Sequence, residues 1–142
     1  MLLSKTCEYA VRATIFIAHK SHEYKRVSIP DISIAINSPQ HFTAKILQTL
    51  VREKVISSNK GPSGGFFIET GKQVFLIDIV KAIDGNKIFT GCGLGLPKCS
   101  DKTPCPLHHD IVPIRAKLLA VFSGKTVQEL VIDCSIHELY LC

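Results

Sequence analysis

The sequence predicts a mainly α-helical fold with a small β-hairpin wing: a winged helix-turn-helix domain followed by C-terminal dimerisation helices. Three observations carry that prediction. Two short capped helical segments abut between Ser28 and Arg52, a pair of strand-like runs around a glycine-rich tip follows at once, and helical spacing then returns on either side of one cysteine-rich stretch. A chain of 142 residues buries one ordinary hydrophobic core. It divides into a DNA-binding unit over 1–85, a cysteine-rich loop over 86–109 and dimerisation helices over 110–142.

The first helix runs from Ser4 to about Lys20, where Cys7, Ala10, Val11, Thr14, Ile15 and Ala18 recur at helical spacing. Ala13, Phe16 and Ile17 fill much of its other side, so it must be covered on several sides and lies centrally or between subunits. Ser28-Ile29-Pro30-Asp31 reads as a capping box that opens a second helix, which Asn37-Ser38 breaks. Ser38 is then expected to cap a third helix with Pro39 at its first position. In that helix Phe42, Ile46 and Leu50 share one side, while His41, Lys45, Gln48 and Arg52 share the other.

Next come Val55-Ile56-Ser57-Ser58-Asn59 and Phe66-Phe67-Ile68-Glu69, separated by Lys60-Gly61-Pro62-Ser63-Gly64-Gly65. The pattern is a β-hairpin, and its glycines let backbone approach a phosphate closely. It is no nucleotide-binding loop, because the Gly-Lys-Ser/Thr ending is missing. Leu76, Ile79, Val80 and Ile83 form a fourth helix that Gly85 stops. Beyond the cysteine-rich stretch, Ile114, Leu118 and Val121/Phe122 give a narrow apolar seam at helix-pairing spacing. Pro113 suits a first turn, which places that helix's start at Asp110. Thr126-Val127-Gln128-Glu129 is a second capping box, opening a final helix through Leu130, Val131, Cys134 and Leu139.

The net charge of +5 is moderate, yet residues 1–70 hold nine Lys/Arg against five Asp/Glu while the remainder is nearly balanced. The basic surplus therefore coincides with the helix-turn-helix and the hairpin. No stretch approaches the roughly 20 apolar residues that span a bilayer. Lys5 and Glu8 precede any apolar run, unlike a secretory signal, so the chain is read as cytoplasmic with no membrane partner. No Ser-His-Asp or paired-carboxylate arrangement stands out, which argues against an enzyme and a small-molecule substrate.

Three of the six cysteines, Cys92, Cys99 and Cys105, crowd into fourteen positions, with His108 three residues beyond the last. Clustered thiols in a cytosolic chain point to metal or redox chemistry more than to a disulfide framework. Structural zinc prefers tight C-x₂₋₄-C knuckles. The intervals here are wider and suit an iron–sulfur cluster, held mainly by thiolates with an occasional histidine. Zinc, thiol redox switching and no function at all stay open on spacing. Cys7 and Cys134 lie on apolar stripes and read as small core residues. His19, His22, His137 and the terminal Cys142 show no constellation, and His109 reads as exposed.

The order of helix, helix-turn-helix, wing, helix, three-cysteine loop and late paired helix resembles the Rrf family of bacterial winged-helix regulators, which includes iron–sulfur regulators of the IscR and NsrR type. The matching stretches are Ser4-Lys5-Thr6-Cys7-Glu8-Tyr9-Ala10-Val11-Arg12, Ser58-Asn59-Lys60-Gly61-Pro62-Ser63-Gly64-Gly65-Phe66, Ile79-Val80-Lys81-Ala82-Ile83-Asp84-Gly85 and the cysteine loop. The resemblance implies a homodimer whose third helix enters the major groove of a palindromic double-stranded operator while the wing touches backbone or minor groove. It implies a [2Fe-2S] or [4Fe-4S] cluster, which can be lost in purification, on Cys92, Cys99, Cys105 and His108. The first cysteine interval is one residue longer than is typical of IscR-like proteins. An NsrR-like arrangement would instead take Glu8 from the partner subunit as fourth ligand, where aspartate is usual.

The expected function is thus a DNA-binding transcription regulator, a repressor that senses iron–sulfur status, redox stress or nitric oxide. His41, Lys45 and Gln48 are the expected base readers and Lys60 the phosphate contact, with Ser38, Gln40 and Ser63 completing the DNA-binding set. The rival reading is a cluster-free regulator of the same family that uses thiol or zinc chemistry, or that docks on a metabolic enzyme.

Overall fold

The computed structural model describes residues 2–136. His137, Leu139 and Cys142, considered above, lie outside them. Helix α1 spans Lys5–His22, with Ser4 accepting a hydrogen bond from the Cys7 amide. Cys7, Ala10, Ala13, Thr14, Ile15, Ile17 and Ala18 are all buried, so the helix is the central rod of the fold, packed against α2, α3, α4 and α7. Helix α2 spans Ile29–Ile36 and opens with the expected Ser28/Asp31 capping box.

The start of α3 differs from expectation. The helix spans Gln40–Arg52, Pro39 is its flanking residue, and no side chain caps it. Asn37 adopts the left-handed conformation, and the Ser38 amide closes α2 by donating to the Ser33 carbonyl at 3.0 Å. The Ser38 hydroxyl is buried and has no hydrogen-bond partner among the described residues. The backbone that would carry an α3 cap is already committed to ending α2. Below that junction Thr43, Ile46, Leu47 and Leu50 are buried, and Phe42 meets Tyr9 edge-on at 5.7 Å.

Strands β1 (Ser57–Asn59) and β2 (Gly65–Phe67) pair antiparallel, with Ser57 opposite Phe67 and Asn59 opposite Gly65. Val27 adds a bridge to Phe66. Helix α4 spans Leu76–Ile83, and Asp78 accepts from the Phe75 amide at 3.0 Å. The stretch expected to be wholly loop contains a one-turn helix α5, Lys87–Thr90, which buries Phe89. Phe89 packs edge-on against Phe122 at 5.8 Å and joins Cys7, Ile77 and Val80 in a second apolar cluster. That cluster holds the start of the cysteine loop against the later turns of the helix that follows it.

Helix α6 spans His108–Gly124, so it begins before Asp110 and carries Pro113 inside it rather than in the first turn. Proline there removes the bond to the carbonyl four residues back, and the remaining turns continue the helix. The predicted seam divides. Leu118 and Phe122 pack on the second cluster, whereas Val112, Ile114, Leu119 and Val121 are exposed, Ile114 at 53% and Val121 at 57%. Helix α7, Val127–Ile136, opens with Thr126 and Glu129 capping each other and packs on α1 of its own chain. Among the described residues no helix is long and apolar enough to cross a membrane.

Candidate metal centre and nucleic-acid interface

The glycines and prolines between α5 and α6 fold as successive tight turns. Backbone hydrogen bonds close them from Gly95 to Cys92 (3.0 Å), Cys99 to Leu96 (3.3 Å), Thr103 to Ser100 (3.1 Å) and His108 to Cys105 (3.0 Å). Cys92 and Cys105 therefore each open a turn and Cys99 closes one, and the three sulfurs converge within 4.8 Å of one another. The Sγ atoms of Cys92 and Cys105 are 3.5 Å apart. Arg115 on α6 donates to the Gly91 carbonyl and ties the start of the loop to the helix that follows it.

His108, the first residue of α6, is only 7% exposed. Its Nδ1 lies 3.2 Å from Cys99 Sγ, and its Nε2 lies 2.8 Å from Asp101 Oδ1. A carboxylate on the far nitrogen fixes the ring's orientation and raises its basicity toward a metal at the near one. Sequence reading missed Asp101, because nothing in its spacing separates it from Asp110. His109 is exposed and stacks edge-on on His108 at 5.3 Å. Glu8 pairs with Lys5 at 3.3 Å on its own helix.

The electrostatics of the thiols differ. Backbone amides of Leu96 and Leu94 bring the Cys92 thiol down to about 7, so it is substantially thiolate near neutrality, the form that binds metal. Burial pushes the Cys105 thiol up. Cys7 is driven to about 12 by burial and then by the Asp84 carboxylate. It is a neutral core thiol, as its place on the apolar stripe suggested, and Cys134 is half-buried on α7.

The donor set of three thiols and one imidazole fits an iron–sulfur cluster chemically. The short sulfur separations equally fit one tetrahedral ion, for which bonds of about 2.3 Å set sulfurs about 3.8 Å apart.

The second candidate surface lies in the first half. Gln40, His41, Lys45 and Gln48 are all exposed on α3, and Lys60 and Ser63 are exposed at the hairpin tip. Ser38 is only partly exposed and its hydroxyl is buried. Arg26, which the sequence did not single out, lies with its guanidinium 4.5 Å over the Phe67 ring.

Comparison with known proteins places these features in context. The profile of the Rrf2 family, described as "Iron-dependent Transcriptional regulator", matches residues 3–133. A protein of Aquifex aeolicus (strain VF5), described as an HTH-type transcriptional regulator, is 28% identical over 99% of this chain and 96% of its own length. The aau3 protein of Rhizobium meliloti (strain 1021) is 28% identical over 92% of this chain and 85% of its own. Among solved structures, T. potens IscR superposes with a TM-score of 0.74 at 14% identity, covering 96% of this chain and 90% of that one. CymR, the global cysteine regulator of B. subtilis, superposes with a TM-score of 0.70 at 17% identity, covering 92% and 95%. These likenesses establish the winged-helix fold, and the family is one of transcription regulators rather than enzymes.

Proposed function

The chain belongs to the Rrf2 family of transcriptional regulators, and from that premise we propose that it is a cytoplasmic, homodimeric repressor. In this reading it binds a palindromic DNA operator under the control of an iron–sulfur cluster held by Cys92, Cys99, Cys105 and His108. The observation that carries the sensing centre is the convergence of three loop thiols within 4.8 Å of one another, with a buried histidine against one of them. When bound, the cluster supplies iron and sulfide that oxidants or nitric oxide attack.

The chain's own residues couple that centre to DNA. Ligation by the three cysteines fastens the loop, and His108 and Arg115 fasten it to α6. Helix α6 packs on α4, and α4 packs on α3. A loop released from its ligands therefore repositions α6 and, through α4, the helix that presents His41, Lys45 and Gln48. Gln40, Ser63 and the Ser38 backbone support that contact, and Lys60 carries the wing's charge to a phosphate. The exposed Val112, Ile114, Leu119 and Val121 of α6 make a helix apolar nearly all round, which needs covering. A second copy covers it in the proposed dimer.

A second reading is a cluster-free site holding one zinc ion, favoured by the 3.5 Å separation of Cys92 and Cys105 sulfurs. Purification without oxygen, with the visible spectrum and the iron, sulfide and zinc content per chain, separates the two. Brown protein with matched iron and sulfide, lost in Cys99→Ala, supports the cluster. Colourless protein holding zinc sinks it and leaves the regulator reading standing. On the DNA side, Lys60→Ala weakens binding to all sequences and reduces the slope of log affinity against log salt by about one. An unchanged slope removes Lys60 from the contact list.

A further inference from the structure

We propose that Arg26, in the segment between α1 and α2, is a preset DNA-phosphate contact that extends the wing's cationic tip. The proposal rests on the DNA-binding reading. Val27, the next residue, exchanges both backbone hydrogen bonds with Phe66, at 3.1 and 2.8 Å, an isolated antiparallel bridge against the wing. Arg26 is thereby carried alongside the hairpin. Its guanidinium stacks 4.5 Å over Phe67 of β2. With the Asn59 amide oxygen turned to it, its two terminal nitrogens reach that oxygen at 2.8 and 3.2 Å. Asn59 is the last residue of β1, and Lys60 follows it directly.

Among the described residues the charge at Arg26 has no counter-ion. Its neighbours Lys20 and Lys25 both pair with Glu23, at 3.7 and 3.1 Å. No carboxylate pairs with Arg26 among the described residues, although it is exposed. An arginine held by a ring and an amide, yet left without an anion, is ordered before its partner arrives. The entropy of immobilising it is not charged to binding. Its planar fork keeps donors free on the edge away from Asn59, the geometry that matches a phosphate. Arg26 and Lys60 then address adjacent phosphates from the two sides of one hairpin end.

Affinity for a fluorescently labelled duplex of mixed sequence, measured across a salt series, tests the assignment. Each neutralised phosphate contributes about 0.9 to the salt slope, so Arg26→Ala weakens binding about eight-fold at 0.1 M salt and lowers the slope by about 0.9. Arg26→Lys restores the slope while recovering only part of the affinity. Phe67→Leu, which keeps the charge and loses the stack, leaves the slope unchanged and weakens binding. Should Arg26→Ala lower only the melting temperature, with Lys60→Ala reducing the slope as expected, Arg26 is a staple for the wing and the proposal is overturned while the regulator reading stands. A wild-type chain that binds no duplex at any salt overturns both.

Discussion

Gly65→Ala lowers the melting temperature by about 10 °C and takes DNA binding with it. Gly65 sits at φ +143°, and a Cβ there would lie 2.7 Å from the Val27 carbonyl oxygen. That oxygen accepts from Phe66 N–H at 2.8 Å, in the bridge that joins the wing to the body. A residue forced into a glycine-only conformation is strained by about 1–3 kcal/mol. Losing the two bridge hydrogen bonds adds about 0.5–1.5 kcal/mol each. The sum is about 2–6 kcal/mol, and at roughly 3–4 °C per kcal/mol for a chain of this size its lower half gives that shift. Gly71 is the control, because its φ is +82° but a Cβ there meets nothing within 4 Å. Gly71→Ala carries the conformational penalty alone, and thermal melts followed by circular dichroism compare the two. Equal melting temperatures would show that the Val27 bridge is not what Gly65 protects.

The second large effect is graded loss of metal affinity along the ligand chain. His108→Ala weakens cobalt(II) or zinc(II) binding by more than two orders of magnitude, beyond the about 10–100-fold expected for removing an outer-shell partner, which Asp101→Asn produces. Glu8→Gln leaves affinity unchanged. The order follows from geometry. His108 is buried and touches Cys99 Sγ, whereas Asp101 is exposed and reaches the ring from the far side at His108 Nε2. Glu8 is engaged with Lys5. Anaerobic competition against a chromophoric chelator measures all three variants. A large loss in Glu8→Gln with none in His108→Ala would move the fourth ligand to the partner subunit's first helix. In the wild type, affinity falls steadily as pH drops, because the raised Cys105 thiol must release its proton to bind, and the fall steepens below about 7, where the Cys92 thiolate is reprotonated as well.

Elements whose signals are local were legible in the chain. The Ser28/Asp31 and Thr126/Glu129 boxes open helices where they should, because a cap is decided by groups three residues apart. The apolar stripes of α1, α3 and α4 and the Gly65-tipped hairpin followed from periodicity and composition, and the three loop cysteines announced a shared site by crowding. The same local logic failed at Ser38, where the end of one helix and the start of the next competed for one stretch of backbone. It failed again at Pro113, which α6 absorbs in its interior, and at α5, a single turn that exists because Phe89 has Phe122 to pack against.

By itself, then, the sequence determined the fold class and the identity of the clustered thiols, properties written in short-range spacing, and it carried the resemblance to the Rrf family. Only the tertiary structure decided that His108 faces Cys99 with Asp101 behind it, that α7 packs on its own chain's α1, and that Arg26 lies on the wing. Those pairings join residues through turns and packed helices, and burial and hydrogen bonding over the whole core select them rather than any pattern along the chain.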